Sequence, residues 1–240
     1  MIENWETLLS QGFELQSSGT TDTAKVLFQP AEKLAAANIV ALKAQNISRH
    51  SRVLTVCSMS HAGGMLAQTL PALSVGAYVD IRPFNAYRFW QDVQGFTHTH
   101  LTPAHCRMLM NTRTFARVKL DGLFITCGSH SIEFDIVEAF VLRGATFMCN
   151  WGMTEIGPIA INTLFDSIDK VEHYRQQAPD SGTLMGDRYY CDYKIETGCM
   201  HVKGAICIYP DWFDTRDRVV LNQHGAMYHL GRASANAGLK

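Results

Sequence analysis

Short apolar segments alternate with segments of helical length between residues 52 and 149, and this alternation restricts the fold more than any other feature. Helices of about ten residues are predicted between the apolar runs, which favours parallel strands joined by helical crossovers. We therefore predict an α/β fold built on a mostly parallel sheet with flanking helices. The five predicted strands are Arg52–Cys57, Ala77–Ile81, Thr97–Leu101, Gly122–Cys127 and Ala145–Cys149.

The intervening helices are predicted at residues 62–75, 85–94, 104–112 and 131–142. Ser131 is the predicted N-cap of the last helix, because serine accepts a hydrogen bond from a free backbone N–H of the first turn. In parallel sheets, ligands bind at the carboxyl ends of the strands. Two polar runs, residues 17–25 and 150–155, directly follow predicted strands, so both are predicted to lie at that edge.

The pattern of the sequence changes after about residue 160. Residues 163–188 are polar and are predicted to be mostly loop. The residues that follow contain alternating runs broken by glycine and proline, such as Asp192–Glu196 and His201–Tyr209, and these predict antiparallel hairpins. The predicted division is an α/β core at 1–160, a smaller β-rich subdomain at 161–232, and a frayed tail at 233–240.

Composition restricts the classes of function. Of the 240 residues, 47% are hydrophobic and 18% are charged, which supports a substantial core and argues against disorder. A formal charge of -1 provides no bulk attraction to nucleic acid or to an anionic membrane. No apolar run is long enough to span a bilayer, and Met1–Glu6 lacks the pattern of a secretory signal. We expect a cytoplasmic protein without a nucleic-acid or membrane partner.

The cysteines do not indicate a disulfide framework. There are seven of them, an odd number, and no CxxC pair occurs. Cys57, Cys127 and Cys149 end apolar runs, which predicts buried and reduced thiols, as expected in the cytosol. The histidines near residue 100 have no cysteine or carboxylate at a recognised zinc spacing, so no zinc site is predicted there.

The run from residue 17 to residue 25 combines hydroxyl side chains with a glycine and a lysine. Such a loop offers backbone N–H groups, hydroxyl donors and a cation to one ligand, and a polyphosphate fits these donors. The run is not a Walker A sequence. The alternative is a polar turn that opens the helix at Ala31. The predicted phosphate-binding residues are Ser17, Ser18, Gly19, Thr20, Thr21 and Lys25.

Three further runs carry candidate chemistry at the same edge. Asn150–Glu155 offers an aromatic face for a base, a hydroxyl for a phosphate and a carboxylate for Mg²⁺, or else contains a core tryptophan before a turn. Asp217 ends the run Trp212–Asp217, and its carboxylate is suited to accept hydrogen bonds from two vicinal ribose hydroxyls. The alternative is that this run forms a surface turn. His61 follows a strand and precedes a helix, where it either faces substrate or serves as a capping or core histidine.

In order, these runs resemble motifs of the adenylate-forming superfamily of acyl-CoA synthetases, peptide-synthetase adenylation domains and luciferases. Residues 17–25 resemble its phosphate loop, and Trp151 stands where the YGxTE motif has tyrosine. The other matching runs are Ser60–Gly64 at the acyl pocket, Cys127–His130 against adenine, Gly198–Gly204, Trp212–Asp217 and Gly231–Arg232. The resemblance spans residues 12–232, and it implies that the core at 1–160 binds the nucleotide and the acyl group and that the subdomain at 161–232 completes the nucleotide site.

The resemblance implies that a small carboxylic acid attacks the α-phosphate of ATP, giving an acyl-adenylate and pyrophosphate. The acyl group then passes to a thiol of CoA or phosphopantetheine. It implies a catalytic set of Lys25, His61, Thr154 and Glu155, with Glu155 holding Mg²⁺. The residues expected to bind nucleotide, besides the loop residues, are Gly128, Ser129, Asn150, Trp151 and Gly152 near adenine, Thr154 at the α-phosphate, and Asp217 and Arg232 at ribose.

The sequence also departs from the superfamily. Asp22 and Arg216 replace glycines, and Ala24 replaces a proline. Relative to the superfamily, the chain is expected to be truncated at both ends, without the C-terminal domain that supplies a catalytic lysine. We therefore expect a minimal ligase that activates an acid, with a separate C-terminal domain or carrier protein as partner. The alternatives are a non-catalytic module that binds AMP or an acyl-adenylate, and an assembly protein that retains only the fold. Self-association is left open.

Overall fold

The computed structural model describes residues 3–16 and 25–233. The chain starts with helix α1 (Trp5–Gln11), followed by the strands β1 (Phe13–Gln16) and β2 (Val26–Gln29). These two strands pair antiparallel, with Gln16 opposite Val26. The long helix α2 (Ala31–Gln45) begins directly after β2, as expected from the sequence.

The second part of the chain alternates strands and helices and forms a seven-stranded sheet. The strand order is β10-β8-β7-β6-β5-β3-β4, in which β3 to β7 are mutually parallel while β8 and β10 are antiparallel to their neighbours. The elements are β3 (Arg52–Thr55), α3 (Ala62–Gly64), a π-helical turn (Met65–Thr69), α4 (Leu70–Ser74), β4 (Tyr78–Ile81), α5 (Phe89–Asp92), β5 (His98–Leu101), α6 (Pro103–Met110), β6 (Phe124–Cys127), α7 (Phe134–Val141), β7 (Thr146–Met153), β8 (Gly157–Phe165), α8 (Ile168–Gln176), β9 (Thr183–Gly186) and β10 (Arg188–Tyr189).

A second sheet contains five antiparallel strands in the order β11-β12-β13-β14-β9. Its further strands are β11 (Asp192–Glu196), β12 (Cys199–Lys203), β13 (Phe213–Leu221) and β14 (Met227–Arg232). The predicted fold class, a mostly parallel sheet with flanking helices followed by a β-rich part, is confirmed. Strand β8 crosses residue 160, where the sequence places a boundary, so the proposed division into domains stays a prediction.

Two apolar clusters hold these layers together. The larger one contains the parallel strands and α7, and its members Leu101, Ile125, Phe140 and Phe147 are completely buried. The other joins α2 to β8 and the second sheet, with Ala37 of α2 among its buried members. Removing this much apolar surface from water favours the layered arrangement. The second cluster therefore fixes the antiparallel sheet beside the carboxyl edge of the parallel one.

Three local predictions are wrong. Ser131 is not the N-cap of α7, because the helix begins three residues later and Glu133 occupies the cap with an extended backbone. Residues 163–188 are not mostly loop, since they contain the end of β8, all of α8 and β9. The run at 150–155 does not follow its strand, because β7 continues to Met153. In addition, the helix predicted at 85–94 is shorter and covers Phe89–Asp92.

The cysteines agree with the expectation of reduced thiols. Across residues 3–16 and 25–233 no disulfide is formed. Cys57 is only partly buried, whereas Cys127 and Cys149 are buried as predicted. Burial raises the pKa of both thiols, which keeps them protonated and unreactive. Every helix in the described part of the chain is too short or too polar to cross a membrane.

Candidate nucleotide site

The predicted phosphate loop lies mostly outside the described residues. This applies to Ser17, Ser18, Gly19, Thr20 and Thr21, and also to Asp22 and Ala24. Lys25 is described and exposed, and it directly precedes β2. The pairing of Gln16 with Val26 fixes the residues on both sides of the loop in one hairpin.

A buried contact connects the end of this hairpin to the predicted Thr–Glu pair. Gln29, the last residue of β2, donates a hydrogen bond from Nε2 to the carbonyl oxygen of Thr154 over 3.3 Å. Its Oε1 accepts a hydrogen bond from the ammonium group of Lys33, one turn into α2. The structure therefore brings the segment after the phosphate loop against the Thr154–Glu155 turn, 125 residues later in the chain.

Lys33 is a buried cation in this contact. Only 3% of the residue is exposed, and burial lowers its pKa to about 8, opposed by the nearby Cys207 and Glu155. A buried lysine without its ordinary hydration requires polar partners. Gln29 supplies one through its hydrogen bond, and Glu155 adds a nearby negative charge. Glu155 is half-buried, and its backbone carbonyl accepts a hydrogen bond from the N–H of Ile208 over 2.9 Å.

Asp217 lies at the junction of the two sheets and is nearly completely buried. Trp151 donates from Nε1 to Asp217 Oδ2 over 3.2 Å, and Arg232 donates from Nε to Asp217 Oδ1 over 3.0 Å. His229 Nε2 lies 3.3 Å from the same Oδ1 atom. Burial raises the pKa of this carboxyl, but His229 and Arg232 outweigh that effect and hold it below its usual value. The alternative of a surface turn is therefore wrong for Asp217.

The strand β13 pairs irregularly with its neighbours around this carboxylate. Arg216 has a left-handed backbone with φ of 60°, and its N–H donates to Asp214 Oδ1 over 2.8 Å. Thr215 donates from Oγ1 to the carbonyl oxygen of Met200 over 2.7 Å and accepts from the N–H of Asp217. The left-handed conformation costs a side-chain-bearing residue energy that glycine avoids. This explains why related motifs have glycine where this chain has Arg216.

Two of the glycines predicted near adenine are required by close backbone packing. A Cβ atom on Gly152 would lie 2.3 Å from the carbonyl oxygen of Gly157, and one on Gly128 would lie 2.9 Å from that of Asn150. Asn150 donates from Nδ2 to the carbonyl oxygen of Pro158 over 2.6 Å. Its Oδ1 is buried without a hydrogen-bond partner among the described residues. Gly128 and Asn150 therefore form a cradle with one free acceptor.

The remaining predicted residues lie at the ends of β3 and β6. His61 is exposed and has an extended backbone at the N-cap of α3, but its side chain makes no capping hydrogen bond. Ser129 is also exposed, with φ of 78°. A Cβ atom on Gly63 would lie 2.9 Å from His100 Cε1 and 3.7 Å from Ser129 Oγ. Three chain segments thus meet beside His61, which is neither a core residue nor a side-chain cap.

Sequence reasoning did not identify Gln29, Lys33 or His229. Gln29 and Lys33 are four residues apart around the start of a helix, but only the fold reveals that both are buried. His229 lies in an alternating strand and is indicated by no motif. Among residues 3–16 and 25–233, no group of three or more histidine, cysteine or acidic side chains could hold a metal ion. A magnesium ion held by the single carboxylate of Glu155 would have to take its other ligands from phosphates and water.

Comparison with known proteins identifies the family. The family model described as AMP-binding enzyme matches residues 15–220. The chain belongs to the AMP-binding enzyme family. This confirms the predicted membership of the adenylate-forming superfamily. The indoleacetate–CoA ligase of Aromatoleum aromaticum is 31% identical over 148 residues, which is 60% of this chain and 29% of that protein.

Solved structures of other AMP-binding enzymes share the fold. The inhibitor-bound N-terminal domain of FACL13 from Mycobacterium tuberculosis has a TM-score of 0.76 at 17% identity, covering 92% of this chain and 60% of that one. The o-succinylbenzoate coenzyme A synthetase of Bacillus subtilis, in complex with ATP and magnesium, has a TM-score of 0.75 at 18% identity and covers 91% and 49%. The chain thus spans less than two thirds of the length of each of these relatives.

Proposed function

We propose that this chain forms the nucleotide-binding and acid-activating part of an ATP-dependent acyl-adenylate-forming ligase. The observation that carries the proposal is the contact of Trp151 and Arg232 with the buried carboxylate of Asp217. Three motifs that are far apart in the sequence meet at this carboxylate, and its low pKa keeps it an acceptor at neutral pH. An ionised carboxylate beside an arginine and an indole suits the two hydroxyls of ribose.

The neighbouring residues fit the rest of an adenine nucleotide. The exocyclic amine of adenine is a hydrogen-bond donor, and Asn150 Oδ1 is a buried acceptor that lacks a donor among the described residues. Gly128, Ser129 and Gly152 provide the close backbone approach around Asn150 and Trp151. We assign the base to this cradle and the sugar to Asp217 and Arg232.

The phosphates would then extend toward Thr154 and the loop of residues 17–25. Gln29 supports this direction, because it connects the strand after the loop to the backbone of Thr154. Thr20, Thr21 and Lys25 would hold the outer phosphates, and Thr154 would contact the α-phosphate. Mg²⁺, held by Glu155, would neutralise phosphate charge. Fixed donors that face the developing charge lower the barrier to adenylation.

The acid is proposed to approach from the side of His61 and Gly63. The similarity to an indoleacetate–CoA ligase supports a small aromatic acid as substrate. Transfer of the acyl group to CoA or to a carrier thiol would complete the reaction. A further C-terminal domain or a partner chain would supply the catalytic lysine that adenylation uses in the superfamily. We keep a cytoplasmic location as part of the proposal.

Exchange of radiolabelled pyrophosphate into ATP, with Mg²⁺ and a set of carboxylic acids, tests adenylation directly. We expect acid-dependent exchange that is lost in Asp217→Ala. Asp211→Ala is the matched control, because this nearby side chain is 94% exposed and pairs with Lys203 at the surface. Binding of AMP without exchange would favour the alternative of a non-catalytic binding module. A chain that neither binds AMP nor supports exchange would contradict the proposal.

A further inference from the structure

His100 is a buried histidine at the carboxyl end of β5 with one unused ring nitrogen. Only 3% of the residue is exposed. Its Nδ1 lies 2.6 Å from the carbonyl oxygen of Gly63, whereas its Nε2 is buried without a hydrogen-bond partner in the described part of the chain. Nearly all buried polar atoms in proteins are paired, so this nitrogen requires an explanation.

The contact with the Gly63 carbonyl determines which ring nitrogen of His100 carries the proton. A carbonyl oxygen can only accept a hydrogen bond, so Nδ1 must donate to Gly63 and must carry the proton. Burial lowers the pKa of His100 to about 4, so the ring is neutral at pH 7 and has no second proton. Nε2 is therefore a hydrogen-bond acceptor, and only a group with an N–H or O–H can satisfy it.

His98 in the same strand provides the contrast. This histidine is also buried, and its Nε2 lies 2.9 Å from the carbonyl oxygen of Gln45. Its Nδ1 lies 2.8 Å from the hydroxyl of Thr97. Both ring nitrogens of His98 are thus paired within the chain. The unused acceptor is particular to His100 and is not a general property of β5.

The unused nitrogen lies close to Gly63, on the side from which the acid is proposed to approach. A Cβ atom on Gly63 would approach His100 Cε1 to 2.9 Å, and Cε1 is bonded directly to Nε2. The absence of a side chain at Gly63 therefore lets the His100 ring pack directly against the backbone there, and an added Cβ atom would displace it. Ser129, exposed at the end of β6, lies next to Gly63, because its Oγ would lie 3.7 Å from that Cβ atom.

We propose that His100 Nε2 accepts a hydrogen bond from the acyl substrate, and that the activated acid carries an N–H or O–H group on its ring, as an indole or a phenol does. The inference rests on the proposed function, because it assigns His100 to the acid side of that site. An acid without such a donor would leave the buried acceptor unpaired and would bind more weakly.

Two acids of similar shape test the proposal on the full chain by calorimetry. Indole-3-acetate has the ring N–H, whereas 1-benzothiophene-3-acetate has sulfur in its place. We expect indole-3-acetate to bind about tenfold more tightly or better. In His100→Phe this preference should disappear. His98→Phe is the matched control, since it removes a buried histidine of the same strand and should keep the preference.

The outcomes separate this inference from the proposed function. Equal affinity for the two acids, or a preference that survives His100→Phe, would overturn the role of His100. Binding of AMP with no binding of either acid would also overturn it, while leaving the nucleotide site in place. If His100→Phe does not fold, Gly63→Ala provides the test. Its Cβ atom should displace the His100 ring and should therefore weaken the binding of indole-3-acetate more than that of the sulfur analogue. An unchanged preference in Gly63→Ala would contradict the inference.

Discussion

Trp151 Nε1 lies 3.2 Å from Asp217 Oδ2, and this hydrogen bond joins the parallel sheet to the antiparallel sheet. Trp151 belongs to β7, whereas Asp217 belongs to β13 and pairs in register with Arg232 of β14. The proposed base-binding and ribose-binding residues are therefore in direct contact. A substitution at one of them should therefore change the contribution of the other to stability.

A double-mutant cycle with Trp151→Phe and Asp217→Asn measures this contact. We expect a coupling of about 1 kcal/mol in the free energy of unfolding, because the indole donates to a charged and buried acceptor. Urea unfolding of the four proteins provides the measurement. Trp90→Phe with Asp217→Asn is the control cycle, because Trp90 donates to Thr112 Oγ1 instead. Additive effects in the first cycle would show that the hydrogen bond between Trp151 and Asp217 does not contribute to stability.

Asp217 should stabilise the protein in a pH-dependent manner. Its folded pKa lies below the usual value, so its contribution is present above the unfolded pKa and is lost as pH falls through the folded one. Asp217→Asn should cost roughly 1 to 3 kcal/mol of unfolding free energy at pH 7 and much less at acidic pH. Asp211→Asn, at an exposed position, should cost little at either pH. A cost for Asp217→Asn that does not change with pH would contradict this account.

Lys33 should destabilise the protein near neutral pH, and this destabilisation should disappear as the pH rises. Its pKa falls from 10.5 to about 8 on folding, so the unfolded chain holds more protons between these values. Stability due to this group therefore rises with pH across that window. Compared with Lys33→Met, the wild-type protein should gain on the order of 3 kcal/mol between pH 7 and pH 10.5. Urea unfolding at several pH values measures the difference.

The matched control for Lys33 lies on the same helix. Lys43 is exposed, so Lys43→Met removes a charge without relieving any burial. Its stability relative to wild type should change little over the same pH window. If the curves of wild type and Lys33→Met stay parallel from pH 7 to pH 10.5, then Lys33 is not the buried cation described here.

Arg216→Gly should stabilise the protein. The left-handed backbone at this position is strained for arginine but not for glycine. We expect the free energy of unfolding to rise by about 1 kcal/mol, after the greater entropy of glycine in the unfolded chain is subtracted. Thermal unfolding should show a higher midpoint. Arg218→Gly, two residues along the same strand, should lower the midpoint, because glycine weakens an ordinary strand position. A lower midpoint for Arg216→Gly would mean that arginine makes contacts worth more than the strain.

The sequence predicted the parallel strands because Ile125 and Phe147 lie in uninterrupted apolar runs that only a doubly covered sheet can bury. It did not predict α8, which buries little more than Val171 and Tyr174 and is otherwise polar. It also ended β7 too early. Gly152 suggested a break, yet the glycine is there because β8 passes too closely for any side chain.

Part of the candidate site could be predicted and part could not. Motif residues such as Trp151 and Asp217 stand in an order along the chain that by itself indicates one shared site. Gln29 and Lys33 carry no local signal, because their role depends on contacts with a segment more than a hundred residues away. His100 was visible as a histidine, but its unused nitrogen depends on the position of Gly63.

The most direct test is a crystal structure of this chain with ATP and Mg²⁺. The account predicts adenine between Gly128 and Trp151, ribose at Asp217, and phosphates that run from Thr154 to the loop of residues 17–25. A nucleotide bound elsewhere, or phosphates directed away from that loop, would contradict the proposal that these segments form one site.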